Sequence, residues 1–140
     1  MEGDMELDEA RDFVRQHHRA VLAAKGPGDT IQQSPVLVTV GADEDLLVSS
    51  RETAYKTKNL RRDPWAQVCV FSDAFFGPWV FIEGTAEVIS LPEAMDDLIA
   101  YYQSISGEHP DWADYRRSMR EEQRVALRIT PLRAGPNRQG

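Results

Sequence analysis

The side chains with most to offer chemically crowd into residues 51–63, where Arg51, Lys56, Lys58, Arg61 and Arg62 face only Glu52 and Asp63. The whole chain carries a net charge of −7, so this is a basic island in an acidic protein. Such an island is either a solvated face or the seat of a local anion. Lys56, Asn59 and Arg62 fall at i, i+3 and i+6, which puts them on one side of a helix, where they can hold a phosphate together. Ser49 and Ser50 come just before that helix and offer hydroxyls near its positive end. Elsewhere the chain holds no self-sufficient chemistry. One cysteine and three scattered histidines cannot build a zinc-type site, and no metal is expected. No P-loop, GxSxG or Rossmann glycine pattern occurs. Cys69 reads as a buried strand thiol, His17 and His18 as a solvated pair, and His109 as a hydrogen-bond partner fixing a loop. An enzyme built from these residues needs a cofactor to supply the reactive atom, with the protein supplying position and field.

The elements that must position this island follow from periodicity. Apolar spacing at Leu7, Ala10, Phe13 and Val14 predicts a helix over residues 6–18. Residues 20–24 read as a short strand, followed by the turn Gly26-Pro27-Gly28-Asp29. Residues 35–40 and 46–50 read as a hairpin around a five-residue loop. The basic helix then runs to Asp63, because Pro64 disfavours a helical residue before it. Strands are predicted over 66–72 and 79–90, the second alternating and interrupted by Gly84, which weakens a strand unless the backbone bends or another chain segment comes close. Two helices follow, one opened by Pro92 and stopped by Gly107, the other capped by Asp111. A last strand over 125–129 precedes what reads as a frayed tail, so that residues 1–132 form one cofactor-binding domain and 133–140 a flexible end.

This order describes a mainly β protein with flanking helices, its short antiparallel strands forming a small closed barrel. A barrel of that size fills its own interior with side chains, so a ligand sits outside it or at a subunit junction. Trp65, Phe75, Phe76, Trp79 and Trp112 exceed what one small core needs, which favours a homodimer with a groove between subunits. The acidic balance argues against nucleic acid as a partner. No apolar run reaches the roughly 20 residues of a membrane span. The lone cysteine and the acidic start of the chain, unlike a signal peptide, point to a cytoplasmic setting.

The stretch Tyr55-Lys56-Thr57-Lys58-Asn59-Leu60-Arg61-Arg62-Asp63-Pro64 resembles the hallmark of the flavin/deazaflavin split-barrel oxidoreductases related to pyridoxamine phosphate oxidase. Glu83-Gly84-Thr85-Ala86-Glu87-Val88 agrees in order and spacing. Gly107-Glu108-His109, Asp111-Trp112 and Asp114-Tyr115-Arg116 are similar to the actinobacterial deazaflavin branch. The resemblance covers roughly residues 7–130. It implies an FMN-binding-type split β-barrel of six strands, two cofactor grooves at a dimer interface, and coenzyme F420, with its anionic phospholactyl and polyglutamate tail, as the ligand. FMN stays open as the alternative, since it too carries a phosphate. By similarity Ser34 and Val36 flank the ring system, Phe76, Gly77, Pro78 and Trp79 cover its other side, and Tyr55 belongs to the site with Lys56. Ala54 departs from relatives that carry a basic residue there, removing one contact to the tail. The activity implied is hydride transfer from reduced deazaflavin to a small, conjugated, electron-poor acceptor. Tyr55 and Tyr115 both remain open as proton donors, and a protein that only binds or sequesters the cofactor is the reading from a different class.

Overall fold

The computed structural model describes residues 5–139, with side chains through Pro136. In chain order the elements are α1 (Leu7–Gln16), β1 (Arg19–Lys25), β2 (Ile31–Leu37), β3 (Thr39–Val40), β4 (Leu46–Arg51), α2 (Tyr55–Arg62), β5 (Trp65–Phe71), β6 (Pro78–Ile89), α3 (Met95–Ser106), α4 (Trp112–Glu121) and β7 (Arg124–Gln139). All strand pairs are antiparallel, in one sheet of order β2-β1-β5-β6-β7-β4-β3. The two ends of that sheet, β2 and β3, are consecutive in the chain and separated only by Val38. The sheet therefore curls on itself into a split barrel.

The expected hairpin of residues 35–40 with 46–50 is not formed as such. The segment divides at Val38: residues 31–37 pair with β1, and only Thr39 and Val40 pair with β4. His18 holds the joint, since its carbonyl accepts from the Val38 N–H at 2.8 Å and its Nδ1–H donates to the Val38 carbonyl at 2.9 Å. His18 is thus a structural tie and not half of a solvated pair, while His17 packs on the Phe13 ring. The split between β2 and β4 opens beyond this joint.

Alternation sorts the strands cleanly. Leu22, Val48, Val68, Val70, Val80, Ile82, Leu127 and Ile129 point inward and are fully buried. Leu60 of α2 joins the same core. On the outer face of β4 and β7, α3 and α4 build a second cluster from Met95, Leu98, Tyr115, Met119 and Ala126. Gly107 ends α3 at φ 80°, and the Asp111 carboxylate caps α4 by accepting from the Asp114 N–H, as the sequence suggests.

The chain beyond Pro131, expected to fray, continues as β7, with Arg133, Ala134 and Gly135 opposite Glu83, Ile82 and Phe81. Pro131 looks like a strand terminator because it cannot donate to a ladder. Here it sits opposite Gly84, where the β6–β7 register shifts and no donor is required. Gly84 is the other half of that arrangement. A Cβ there would meet the Thr130 carbonyl oxygen at 2.2 Å. Gly84→Ala should therefore destabilise the fold by about 1–3 kcal/mol, the usual cost of overpacking, seen as a lower urea midpoint. An unchanged midpoint would mean that β7 can move away without loss.

Candidate functional site

α2 lies in the split, and its polar side chains span it. Thr57 donates to the Ser50 hydroxyl of β4 at 2.9 Å, and Asn59 donates to the Gln32 side chain of β2 at 3.1 Å. Arg62 donates to the Asn59 side-chain oxygen at 2.7 Å and to the Lys25 carbonyl of β1 at 3.1 Å. Asn59 is only 6% exposed. Two of the three residues expected to hold a phosphate thus spend their polar groups anchoring the helix. A side chain shared by helix, strand and ligand looks the same in sequence as one reserved for the ligand, which is why spacing alone could not separate them.

Lys56 is different. It is half-buried, with no ion-pair or hydrogen-bond partner among the described residues, and burial pushes its ammonium below the ordinary lysine value. The positive charge of Arg124 adds to the same effect. Across the split, the Ser34 hydroxyl is buried without a hydrogen-bond partner. Helix and strand run past each other in step: Arg62 meets the Lys25–Ile31 end, and Asn59 meets Gln32. One helical turn back from Asn59, about 5 Å, is Lys56, and two residues on from Gln32, about 7 Å, is Ser34. α2 thus carries an uncompensated cation and β2 an orphaned hydroxyl, each one step beyond the Asn59–Gln32 bond that joins the two elements.

The outer edge of the same opening is closed from α3. Tyr101 donates to the Leu37 carbonyl at 2.9 Å, tying α3 to β2. Burial raises the Tyr101 hydroxyl above its ordinary value. Sequence reasoning missed Tyr101, whose role depends on a contact 64 residues away. Ser49 lies on the outward side of β4 and Ser50 on the inward side, so the pair does not present two hydroxyls to one spot.

Val21, Leu37 and Phe71 line a hollow on the outer side of β1 and β2; Val36 borders it, but its side chain lies on the inner side with Ser34 and packs against the core, not beside the aromatic residues as expected. Phe71 also lines the neighbouring apolar hollow formed with Cys69, Phe75, Phe76 and Trp79. Cys69 is half-buried on the outward face, not in the core, because period-2 alternation sets it opposite to Val68 and Val70. Its surroundings raise the thiol above its ordinary value. Phe75 and Phe76 are 72% and 73% exposed. Gly77 packs against Ser72 and Ala74 of its own loop, where a side chain has no room. Ser34 and Trp79 are three strands apart, with Trp79 three residues along β6 from Ile82, the residue level with Ser34, and they face opposite sides of the sheet. A single chain does not bring the basic and aromatic halves of the expected site together.

Tyr115 is committed elsewhere. Its hydroxyl donates to the Leu98 carbonyl at 2.8 Å, and burial pushes its pKa up to about 12. Tyr55 is 75% exposed at the start of α2, its ring within reach of the Lys58 ammonium. His109 accepts from the Asp111 N–H at 2.9 Å between the rings of Tyr102, Trp112 and Tyr115, a loop-fixing role as expected. No group of three or more metal-ligating side chains occurs among the described residues. No helix of the described residues is long and apolar enough to cross a membrane.

The family model for pyridoxamine 5'-phosphate oxidase matches residues 7–136. The chain belongs to this family. Among solved structures, a conserved hypothetical protein of Mycobacterium tuberculosis is similar at 26% identity and TM-score 0.75, over 93% of this chain and 82% of that one. An F420 reductase shares the fold at 17% identity and TM-score 0.67, over 89% and 94%. A heme-binding protein from Mycobacterium smegmatis does so at 19% identity and TM-score 0.67, covering 91% of this chain and 52% of that one. One fold thus serves different ligands, and the choice for this oxidase-family chain rests on its own residues.

Lys56 also yields a stability test. Folding disfavours its charged form, so the penalty is present at neutral pH and disappears as pH rises through the lowered folded value toward the unfolded 10.5. Lys56→Met should raise the stability of the ligand-free protein by about 0.5–1 kcal/mol near pH 7, with the gain shrinking toward pH 10. A lower midpoint for the variant would show that the ammonium has a structural partner.

Proposed function

We propose that this protein binds coenzyme F420 at a homodimer interface and acts as an F420H2-dependent reductase. Its substrate would be a small, conjugated, electron-poor acceptor, in a cytoplasmic setting. The observation that carries the reading is the unpaired, half-buried Lys56 of α2 together with the unpartnered Ser34 hydroxyl of β2, on two elements joined by the Asn59–Gln32 bond. A buried orphan hydroxyl costs about 1–3 kcal/mol, and a half-buried cation without a partner carries a desolvation cost of its own. An anionic oxygen between them would satisfy both. Such a seat fits the phosphate of a deazaflavin cofactor, and it fits that of FMN, which remains the alternative.

The apolar strip from Val21 and Leu37 through Phe71 to Trp79 suits a flat ring system. Exposed Phe75, Phe76 and Leu37 form a larger apolar surface than an isolated chain keeps without reason. A second copy would bury them and bring the partner's Trp79 and the partner's Phe76 over the ring, joining the halves that one chain holds apart. When bound, the reduced deazaflavin supplies the hydride. The chain's own part is to hold the anionic end at Lys56 and Ser34, exclude water with the aromatic strip and orient the acceptor. Tyr115 is unsuited to giving a proton, since its hydroxyl is buried and spent on Leu98. Tyr55, exposed beside Lys56, is the hydroxyl at hand.

The test is tryptophan-fluorescence titration with F420 and, separately, with FMN. Trp65 and Trp112 donate their indole N–H groups to Glu83 and Glu108, so quenching that disappears in Trp79→Phe reports the proposed ring site. Lys56→Ala should weaken binding by about 1.5–3 kcal/mol, the loss of a charge-assisted contact. Ser34→Ala should weaken it less while leaving the free protein as stable as before or more so. FMN binding alone would move the protein to flavin chemistry, and identical affinities for Lys56→Ala and its parent would remove Lys56 from the site.

A further inference from the structure

We propose that Gln32 is a further ligand-binding residue of the split, its amide N–H groups aimed at an acceptor oxygen of the ligand by a polarity set at Arg62. This rests on the reading of the split as an anion seat and holds for either cofactor. A guanidinium only donates. The two hydrogens of the Arg62 Nη2 go to the Lys25 carbonyl and to the Asn59 side-chain oxygen. Asn59 is thereby turned with its oxygen toward Arg62, and its amide nitrogen donates to the Gln32 Oε1 at 3.1 Å. The Gln32 oxygen is spent on that bond, and its Nε2 is what remains. Side-chain amides are ordinarily ambiguous as to which end is oxygen and which nitrogen. Here a donor-only group at the head of the series removes the ambiguity at Asn59 and Gln32 together.

The Gln32 Nε2 has no hydrogen-bond partner among the described residues, and the side chain is half-buried, so these N–H groups open into the space between the walls. Period-2 alternation puts Gln32 on the same face of β2 as Ser34, the face that meets α2, while Gln33 and Pro35 turn away. That face thus presents two unspent hydrogen-bonding groups about 7 Å apart along the strand, the Gln32 amide nitrogen and the Ser34 hydroxyl. A carbonyl or phosphate oxygen satisfies Gln32. A ligand N–H at the same point would face another donor and be rejected, which makes Gln32 a selector of ligand orientation as well as a contact. The series also gives Asn59 and Arg62 a part in binding that needs no contact with the ligand. They are positioning residues, and they act through Gln32.

Fluorescence titrations of the full chain with F420 and with FMN decide the matter. Gln32→Met keeps length and neutrality but removes the donor, and affinity for whichever cofactor the parent binds should fall about tenfold. Gln32→Glu still accepts from Asn59, so its thermal midpoint should stay at or above the parental one. Its affinity should fall at least as far, because the end facing the ligand has changed from donor to acceptor. Arg62→Met should weaken binding in the parent, where it frees both amides to turn, and should cost nothing further in the Gln32→Met background. Parental affinity in Gln32→Met or Gln32→Glu overturns the proposal. An equal loss from Arg62→Met in both backgrounds shows that Arg62 meets the ligand itself, and overturns the relay. A parent that binds neither cofactor overturns the anion seat and this inference together. Binding that depends on Lys56 and not on Gln32 overturns this inference alone.

Discussion

The arrangement depends on one helix wedged into an opening. A sheet whose ends meet only at Val38 has backbone groups of β2 and β4 facing a gap, and unpaired polar groups in a gap are costly. α2 fills it with Leu60 toward the core and with Thr57 and Asn59 bonded to opposite walls. Tyr101 of α3 completes the closure from outside. Because the walls are fixed by these bonds, whatever lies between them is held rigidly, which is what a binding site requires.

Charge follows from the same geometry. Most cations with a described contact near α2 meet a carboxylate or a carbonyl, and the depressed values of Glu52, Glu83 and Glu122 record hydrogen bonds from Arg61, Trp65 and Arg124. Lys56 alone among the basic residues of the α2 wedge is drawn inward with no such partner. The free protein thus carries an electrostatic cost on α2, at Lys56. Retaining such a cost is characteristic of a site kept for binding.

The curvature that creates the split comes from two backbone irregularities. His18 fixes the bend at Val38, and the shifted register at Gly84 lets β7 cross close to β6 while tolerating Pro131. Neither is a catalytic feature, yet each sets where the site's walls stand.

By itself the sequence determined the elements and their faces. Periodicity and caps located α1, α2, α3 and α4, the alternating strands β5 and β6, and the special demand at Gly84, because these depend on neighbours within a turn or a pleat. The basic island around Lys56 was equally legible, charge being a property of composition. Tertiary structure decided the rest. It divided residues 35–40 between two partners, carried β7 past Pro131, turned Cys69 outward, and spent Asn59, Arg62, His18 and Tyr115 on structural bonds. It also left the Ser34 hydroxyl and the Lys56 ammonium without a partner among the described residues. Each of these outcomes depends on which distant segment arrives at a given hydrogen-bonding group, and local spacing carries no record of that.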